Sequence, residues 1–223
     1  MKKLQGYQSK EKEHFDKLAS TKGQIWWGSN TPAGIKRFKR RAHIVSEVLS
    51  KLKDPQVLEL GCAVGTFSRF ILEENPHLHL RCCDISSKCI EFASQHCKEF
   101  KNAYFETLDL LSRHYKPEEF DCIIGNSIIH HLPAESTLKE CFRILRPGGF
   151  IIFFEPNMMN PQIAIEKNIP FIGRLLENSA DETAFFRWPL ARILKNIGFE
   201  NCLLYTSDAA DELDGVDLGG RRI

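Results

Sequence analysis

The sequence predicts an α/β domain built on a doubly wound, mostly parallel sheet, with an N-terminal helical extension and a lid insertion. Three observations support this fold class. Short apolar runs of strand length alternate along the chain with segments of helical spacing. The first of these runs ends in a glycine turn that leads directly into a predicted helix. The chain has 223 residues and is 43% hydrophobic, which is enough for one well-buried core.

The first predicted strand and its turn are the most informative segment. Residues 57–65 read Val-Leu-Glu-Leu-Gly-Cys-Ala-Val-Gly, and the apolar residues at the start are typical of a strand buried on both faces. Gly61 and Gly65 bracket the turn, and residues 66–74 have helical spacing. Because glycine has no Cβ, such a turn lets backbone N–H groups and a helix N-terminus approach a ligand closely.

Two acidic residues sharpen this interpretation. Glu59 lies inside the end of the first strand, and Asp84 ends the next apolar run at residues 78–84. An acid about 20 residues beyond such a turn is placed to accept hydrogen bonds from both hydroxyls of a ribose. The dinucleotide fingerprint of nicotinamide cofactors requires Gly-x-Gly-x-x-Gly, and this chain does not have that spacing.

The segment from Glu59 to Gly65 resembles the first motif of the class I S-adenosylmethionine-dependent methyltransferases, acidic-x-Gly-x-Gly-x-Gly. Ala63 stands where the family has its middle glycine, so one methyl group is added in the turn. The resemblance implies a Rossmann-like methyltransferase fold and S-adenosyl-L-methionine as the cofactor, rather than a nicotinamide. It also implies a cofactor-binding set consisting of Glu59, Gly61, Ala63, Gly65, Asp84, Ile85, Asp109, Leu110 and Asn126.

Further matches to the family follow in order along the chain. Residues 104–110 contain a third predicted strand that ends at Asp109, which in the family lies near the adenine amino group. Residues 120–126 form a fourth predicted strand. Residues 145–149 read Leu-Arg-Pro-Gly-Gly and predict a turn that feeds a fifth strand at residues 150–154. The order of these matches is more specific than any one of them.

The candidate catalytic residues follow the fourth and fifth strands. Methyl transfer from a sulfonium is an in-line displacement, and a hydroxyl or ammonium acceptor must also lose a proton. His130 and His131 lie at the carboxyl edge where such sheets place their ligands. One is the candidate general base, because an imidazole titrates near neutral pH, and the other is a candidate structural cap of the next helix. Glu155 is the second candidate for substrate contact or proton acceptance.

The function that these residues imply is methyl transfer to a small or medium-sized, partly apolar acceptor. No Asn-Pro-Pro-Tyr or Asp-Pro-Pro-Tyr follows the fourth strand, which argues against methylation of base or glutamine amino groups. One alternative is methylation of RNA or protein, to which the basic run at residues 36–41 would contribute. Another is a non-catalytic cofactor-fold binding protein, and the intact glycines and acids of the motif argue against it.

Composition is that of an ordinary soluble enzyme. Lys plus Arg total 30 against 29 for Asp plus Glu. The chain therefore has no large excess of positive charge that would favour binding to nucleic acid or to a membrane. No apolar stretch has transmembrane length, and the first residues lead into charges rather than a signal sequence. We therefore predict a cytoplasmic protein with a small-molecule substrate. The eight cysteines lack Cys-x-x-Cys spacing, which favours buried reduced thiols over a metal or redox site.

Two regions outside the nucleotide-binding core bear on the substrate. Residues 1–54 form the N-terminal helical extension, in which Trp26 and Trp27 either roof the cofactor or pack the helices on the core. Residues 55–201 form the methyltransferase domain. Within it, residues 157–187 are an apolar, aromatic-rich connection that we interpret as a lid or substrate wall, or as short helices packed in the core.

The end of the chain is a separate matter. Residues 202–223 resemble the translation of a sequencing adapter read through in frame, so we expect this tail to be non-native. The antiparallel strand pair that usually ends this fold would then be missing or replaced. The alternative is a true C-terminal strand at residues 202–206, followed by an acidic tail.

Overall fold

The computed structural model describes residues 2–22, 30–112, 114–158, 185–206 and 216–221. Trp26, Trp27 and most of the predicted lid lie outside these described residues. The chain divides into two compact units, residues 1–109 and 110–223. No helix in the described part of the chain is long and apolar enough to cross a membrane.

The first unit is built on three parallel strands in the order β3-β2-β1. Their bounds are Gln56–Leu60 for β1, His79–Asp84 for β2 and Ala103–Thr107 for β3. All of β1 after its first residue is buried, as predicted for a strand covered on both faces. Because Leu60 pairs with Cys83, the turn that follows β1 begins beside the end of β2.

The helices described in this unit are α1 Lys2–Lys22, α2 Pro32–Leu49, α3 Thr66–Glu74 and α4 Ser87–His96. Helix α3 has the predicted bounds. Helix α2 begins at Pro32 because Thr31 caps it. The Gly34 N–H donates to Thr31 Oγ1 at 3.0 Å, and a proline is well suited to the first turn.

In the second unit, β4 Phe120–Asn126 and β5 Leu145–Glu155 are parallel neighbours. Strand β7, Val216–Arg221, lies antiparallel between β5 and β6, Glu200–Thr206. The described helices are α5 Ala134–Ile144, α6 Arg187–Ile197 and two short 3₁₀ helices, Leu110–Ser112 and Ile129–His131.

The predicted turn at residues 145–149 is instead the bulged start of β5. Leu145 pairs with Phe120, and the next pair is Phe150 with Cys122. Residues 146–149 therefore oppose a single residue of β4, which is the geometry of a large bulge. Gly148 has a left-handed φ of 81° in this bulge, but pairing with β4 occurs on both sides of it.

The C-terminal residues form an antiparallel strand pair. The β5–β7 ladder runs from the Phe150–Arg221 pair to the Glu155–Val216 pair. The residues that resemble the adapter therefore supply most of this strand pair, and the alternative of a strand at residues 202–206 agrees with β6. Two adjacent glycines in β7 weaken its strand signal in the sequence. The non-native origin of the tail stays a prediction.

Buried acid and thiol groups lie in the core of the first unit. Glu59 in β1 is 1% exposed, and Cys82 Sγ donates to its Oε2 at 3.5 Å. Burial raises the pKa of Glu59 to about 7, while hydrogen bonds from Ser68 and Cys82 act in the opposite direction. All eight cysteines are free thiols and seven are buried, in agreement with the prediction.

Glu59 should make stability fall as pH rises. Its carboxyl group binds a proton more tightly in the folded than in the unfolded state, because its folded pKa is raised from 4.5 to about 7. Its stabilising contribution is therefore present at low pH and is lost across that window. We expect Glu59→Gln to remove on the order of 3 kcal/mol of this pH dependence.

The measurement is urea unfolding of the wild type and Glu59→Gln at about pH 5 and about pH 8. Glu13→Gln, which changes an exposed acid of α1, is the control and should behave like the wild type. The same pH slope in the Glu59 variant and the wild type would contradict the prediction.

Ending the chain after Asn201 tests the role of the C-terminal strands. This truncation removes β7 and leaves the β5 edge unpaired from Phe150 to Glu155. Because an unpaired apolar edge loses ladder hydrogen bonds and promotes association, we expect a lower unfolding temperature and more aggregation. Calorimetry and light scattering measure both. An unchanged unfolding temperature would count against the β5–β7 pairing and support the non-native origin of the tail.

Candidate functional site

The loop between β1 and α3 contains three residues with left-handed backbone. The φ angles are 63° at Gly61, 46° at Ala63 and 78° at Gly65. A glycine adopts this conformation without strain, whereas an alanine is destabilised by roughly 1 kcal/mol. The middle position of the motif therefore has left-handed backbone, and Ala63 adopts this conformation with backbone strain. A Cβ at Gly65 would also lie 3.0 Å from Ala93 of α4.

Backbone hydrogen bonds hold this loop against the end of β2. The N–H groups of Gly61 and Cys62 both donate to the Cys83 carbonyl, at 2.8 and 3.2 Å. The Gly65 N–H donates to the Cys62 carbonyl at 2.9 Å and closes the turn. The loop is thus fixed by the protein's own backbone.

Asp84 ends β2 beside this loop and is half-buried. Its Oδ2 accepts a hydrogen bond from the Ala63 N–H at 3.0 Å, and its Oδ1 accepts one from the Ser86 N–H at 2.9 Å. These two bonds, one to each oxygen, fix the plane of the carboxylate. An ionised carboxylate only accepts hydrogen bonds, so its chemistry fits the vicinal hydroxyls of a ribose.

Glu59 is more buried than Asp84 and Asp109, the other acids that the resemblance assigns to the cofactor. Its side chain lies inside the core, where it contacts Cys82, and is 1% exposed. Its contact with the cofactor stays a prediction, and in this structure its carboxylate accepts a hydrogen bond from Cys82.

The remaining predicted cofactor residues of the first unit follow β2 and β3. Ile85 comes directly after Asp84, and Asp109 lies just beyond the end of β3; both are half-buried. The Leu108 N–H donates to the Asp84 carbonyl at 2.9 Å, which holds the chain after β3 against the end of β2. The first unit thus brings its predicted residues, apart from Glu59, to the carboxyl edge of its strands.

In the second unit, the predicted cofactor residues are Leu110 and Asn126. Leu110 is buried and begins the first 3₁₀ helix. Asn126 is half-buried at the end of β4, where the chain turns sharply because Ser127 has a left-handed φ of 58°. The Ser127 N–H donates to the Phe154 carbonyl of β5 at 2.7 Å and fixes this turn.

Glu155 organises the segment after β4. It is 0% exposed, and its Oε1 accepts hydrogen bonds from the N–H groups of Ile128 and Ile129 at 3.0 and 2.8 Å. Its Oε2 accepts from the His130 N–H at 3.3 Å and is 2.7 Å from His130 Nδ1. The carboxylate therefore holds both the backbone of the 3₁₀ helix and the imidazole.

This geometry assigns the protonation of His130. A carboxylate only accepts hydrogen bonds, so the short contact to Glu155 places a proton on Nδ1 of His130. In the neutral ring, Nε2 then carries the lone pair. A base oriented by a buried acid is the usual arrangement of an activated proton acceptor. The predicted role of Glu155 in substrate contact or proton acceptance stays a prediction, and in this structure its two oxygens accept hydrogen bonds from backbone N–H groups and face His130.

The two adjacent histidines have different surroundings. His130 is 5% exposed, whereas His131 is half-buried. Their ring centroids are 4.1 Å apart with an interplanar angle of 40°. Neither caps α5, as one was predicted to do, because the N-cap of that helix is Pro133 without a side-chain bond.

Sequence analysis did not identify Ser86 as part of the site. Ser86 is 0% exposed, its N–H donates to Asp84, and its Oγ accepts the Cys89 N–H at 3.0 Å as the N-cap of α4. The available signal was a serine two residues after the predicted ribose acid and just before a helical segment.

Comparison with known proteins finds a methyltransferase domain in this chain. Residues 58–151 match the family model of a methyltransferase domain. Malonyl-[acyl-carrier protein] O-methyltransferase of Paenibacillus sp. is 29% identical over 114 residues, which cover 48% of this chain and 41% of the relative. The human tRNA N(3)-cytidine methyltransferase is 31% identical over 157 residues, covering 65% of this chain and 55% of the relative. The chain thus spans about half the length of these curated relatives.

Solved structures confirm the predicted fold class. Magnesium protoporphyrin IX methyltransferase from Synechocystis PCC 6803, with bound SAH, superposes with a TM-score of 0.74 at 16% identity, covering 97% of this chain and 100% of that chain. The N-methyltransferase NodS from Bradyrhizobium japonicum WM9, in complex with S-adenosyl-L-homocysteine, gives 0.69 at 18% identity, covering 95% and 97%. The match to the domain model and these superpositions show that residues 58–151 form a methyltransferase domain within a Rossmann-like methyltransferase fold.

Proposed function

We propose that the protein transfers the methyl group of S-adenosyl-L-methionine to a small or medium-sized, partly apolar acceptor, with His130 as the general base. The observation that carries this proposal is the contact between Glu155 and His130, at 2.7 Å. S-adenosylmethionine supplies a methyl group that its positive sulfur makes electrophilic. The protein must align the acceptor and take up its proton.

The fixed carboxylate of Asp84 supports the cofactor part of the proposal. Two backbone N–H groups, from Ala63 and Ser86, orient it before any ligand arrives. Preorganised acceptors bind more tightly, because no ordering is needed on association. The left-handed backbone of the glycine loop allows close approach of a ligand beside this carboxylate.

The chemistry of the Glu155–His130 pair supports the proton-transfer part. Because Nδ1 of His130 carries the hydrogen bound by Glu155, Nε2 is the atom that accepts a proton. After proton uptake the ring becomes an imidazolium, and the adjacent carboxylate stabilises its charge. The N–H bonds from Ile128 and Ile129 keep the carboxylate in place throughout.

The apolar character of the acceptor rests on residues around the predicted lid. Phe186 and Trp188, at the start of α6, are 49% and 65% exposed. Large exposed aromatic side chains are typical of surfaces that contact a ligand or partner. The sequence of the connection before α6 is also rich in apolar residues. Both features favour an acceptor with a hydrophobic part.

RNA is the second candidate acceptor, because α2 carries a basic face. Lys36, Lys39 and Arg40 are exposed at helical spacing on α2. Similar proteins include tRNA methyltransferases of human and Schizosaccharomyces pombe. Binding to RNA that weakens steeply with salt would favour this acceptor. Labelled methyl transfer to metabolites of a cell extract, and not to RNA, would favour the first.

Asp84→Ala should weaken binding of S-adenosylmethionine by about 1.5 to 3 kcal/mol, the range for hydrogen bonds to a charged group. The change removes both ribose acceptors and the anchor of the Ala63 N–H. Isothermal titration calorimetry measures the affinity. Asp121→Ala, which removes a surface acid paired with Arg146, is the control and should bind like the wild type. Unchanged affinity in Asp84→Ala would remove this residue from the site.

His130→Gln should lower turnover by roughly 10² to 10⁴ and leave cofactor affinity nearly intact, because it removes only the proton acceptor. His131→Gln is the matched variant and should have a much smaller effect, since Glu155 orients His130. Turnover is measured on the acceptor that labelled methyl transfer identifies. Wild-type turnover in both variants would exclude a histidine base.

Glu155→Gln is the companion variant for the same prediction. One amide oxygen cannot serve both the backbone N–H groups and His130, so the amide N–H₂ should face the ring and move its proton to Nε2. We expect a loss of turnover similar to that of His130→Gln, together with a change of tautomer in ¹⁵N NMR of the imidazole. Glu140→Gln, another buried acid, is the control. An unchanged tautomer would disprove the role of Glu155.

A further inference from the structure

The N-terminal helix α1 contacts the start of α4 through one acidic side chain. Ser86 Oγ donates to Asp16 Oδ1 at 2.5 Å, and the Lys88 N–H donates to the same oxygen at 3.3 Å. Asp16 thus binds a buried hydroxyl and a backbone N–H at the N-terminus of α4. A carboxylate is favourable there, because the first turn of a helix carries partial positive charge.

Ser86 connects this contact to the cofactor site. Its backbone N–H donates to Asp84 Oδ1 at 2.9 Å, and its Oγ accepts the Cys89 N–H at 3.0 Å. A serine hydroxyl has one hydrogen to donate, and here that hydrogen goes to Asp16. Because Ser86 is 0% exposed, no bulk water replaces a lost partner. Asp16 therefore fixes the residue that orients one oxygen of Asp84.

We propose that Asp16 is a positioning residue of the cofactor site, which acts through Ser86 on the carboxylate of Asp84. Docking of α1 and binding of the ribose are then coupled. The inference rests on the proposed function, in which Asp84 accepts the ribose hydroxyls. The inference adds α1 to the elements that form the cofactor site, although none of the sequence matches to the family lies in α1.

Coupling of this kind is reciprocal, which separates it from a merely structural contact. If docked α1 favours cofactor binding, bound cofactor must favour docked α1 by the same factor. S-adenosyl-L-homocysteine should therefore slow hydrogen exchange of α1 amides in the wild type. A contact that only stabilises the fold would change the unfolding temperature without this ligand dependence.

The experiment measures the affinity for S-adenosyl-L-homocysteine by calorimetry in full-length variants. Asp16→Ala should bind about tenfold more weakly, since a buried hydroxyl loses its acceptor. Asp16→Asn should retain most of the affinity, because its amide oxygen can accept the same hydrogen bond. Glu13→Ala removes an equal charge from an exposed site on the same helix and should bind like the wild type.

A double-mutant cycle tests the route through Ser86. Adding Asp16→Ala to Ser86→Ala should weaken binding little further, because the link is already broken. Additive losses would overturn the proposal, as would wild-type affinity in Asp16→Ala or an equal loss in Glu13→Ala. If Asp16→Ala does not fold, hydrogen exchange of α1 in the wild type, with and without S-adenosyl-L-homocysteine, tests the proposal instead. Exchange of α1 that does not respond to the ligand would then overturn it.

The Asp84→Ala variant distinguishes failure of this inference from failure of the proposed function. If Asp84→Ala loses affinity and Asp16→Ala does not, the inference alone is wrong. If Asp84→Ala also binds like the wild type, the proposed contact between Asp84 and the ribose is wrong. The inference is then wrong as well, because it depends on that contact.

Discussion

The carboxylate of Asp84 is the group on which the arrangement of the first unit depends. It accepts one backbone N–H from the loop after β1 and one from Ser86, the N-cap residue of α4. Both donors belong to irregular backbone, which has no ladder to satisfy it. A single side chain at the end of β2 therefore holds two loops, and Ala63 can keep a strained conformation because its N–H is bound there.

The second unit uses the same physical solution at the end of another strand. Glu155 ends β5 and accepts three backbone N–H groups from the segment after β4, in addition to the imidazole of His130. In each unit, an acid at the carboxyl end of a parallel strand satisfies the backbone of a neighbouring loop. The position that suits ligand binding in such sheets is thus also the position where loop backbone needs acceptors.

The sequence predicted the bounds of those helices and strands that nearby residues determine. The bounds of α3 and β4 follow directly from helical spacing and from an apolar run. The bulge at the start of β5 was missed because the same residues have turn chemistry, and only pairing with β4 shows that they continue a strand. Strand β7 was not predicted because its residues belong to the tail that resembles an adapter translation, and its pairing with β5 and β6 is long-range.

In the candidate site, too, the features with local causes were predicted and those that depend on tertiary surroundings were not. The glycine turn and Asp84 were predicted because their residue types and their spacing in the sequence already indicate a nucleotide-binding loop. The roles of Glu59 and Glu155 depend on what surrounds each carboxylate, and both are buried among protein groups in this structure. Sequence position alone does not distinguish an acid that faces a ligand from one that holds the backbone behind it.

The buried cysteines have a consequence for the chemical durability of the protein. Burial raises the pKa of Cys62, Cys82 and Cys122 well above the usual value for a thiol, and that of Cys89 and Cys97 to about 12. The thiolate is the reactive form, so these groups resist alkylation and oxidation while the fold is intact. Damage by electrophiles or peroxide therefore proceeds through transient opening of the core, and the rate of thiol modification reports how often the core opens.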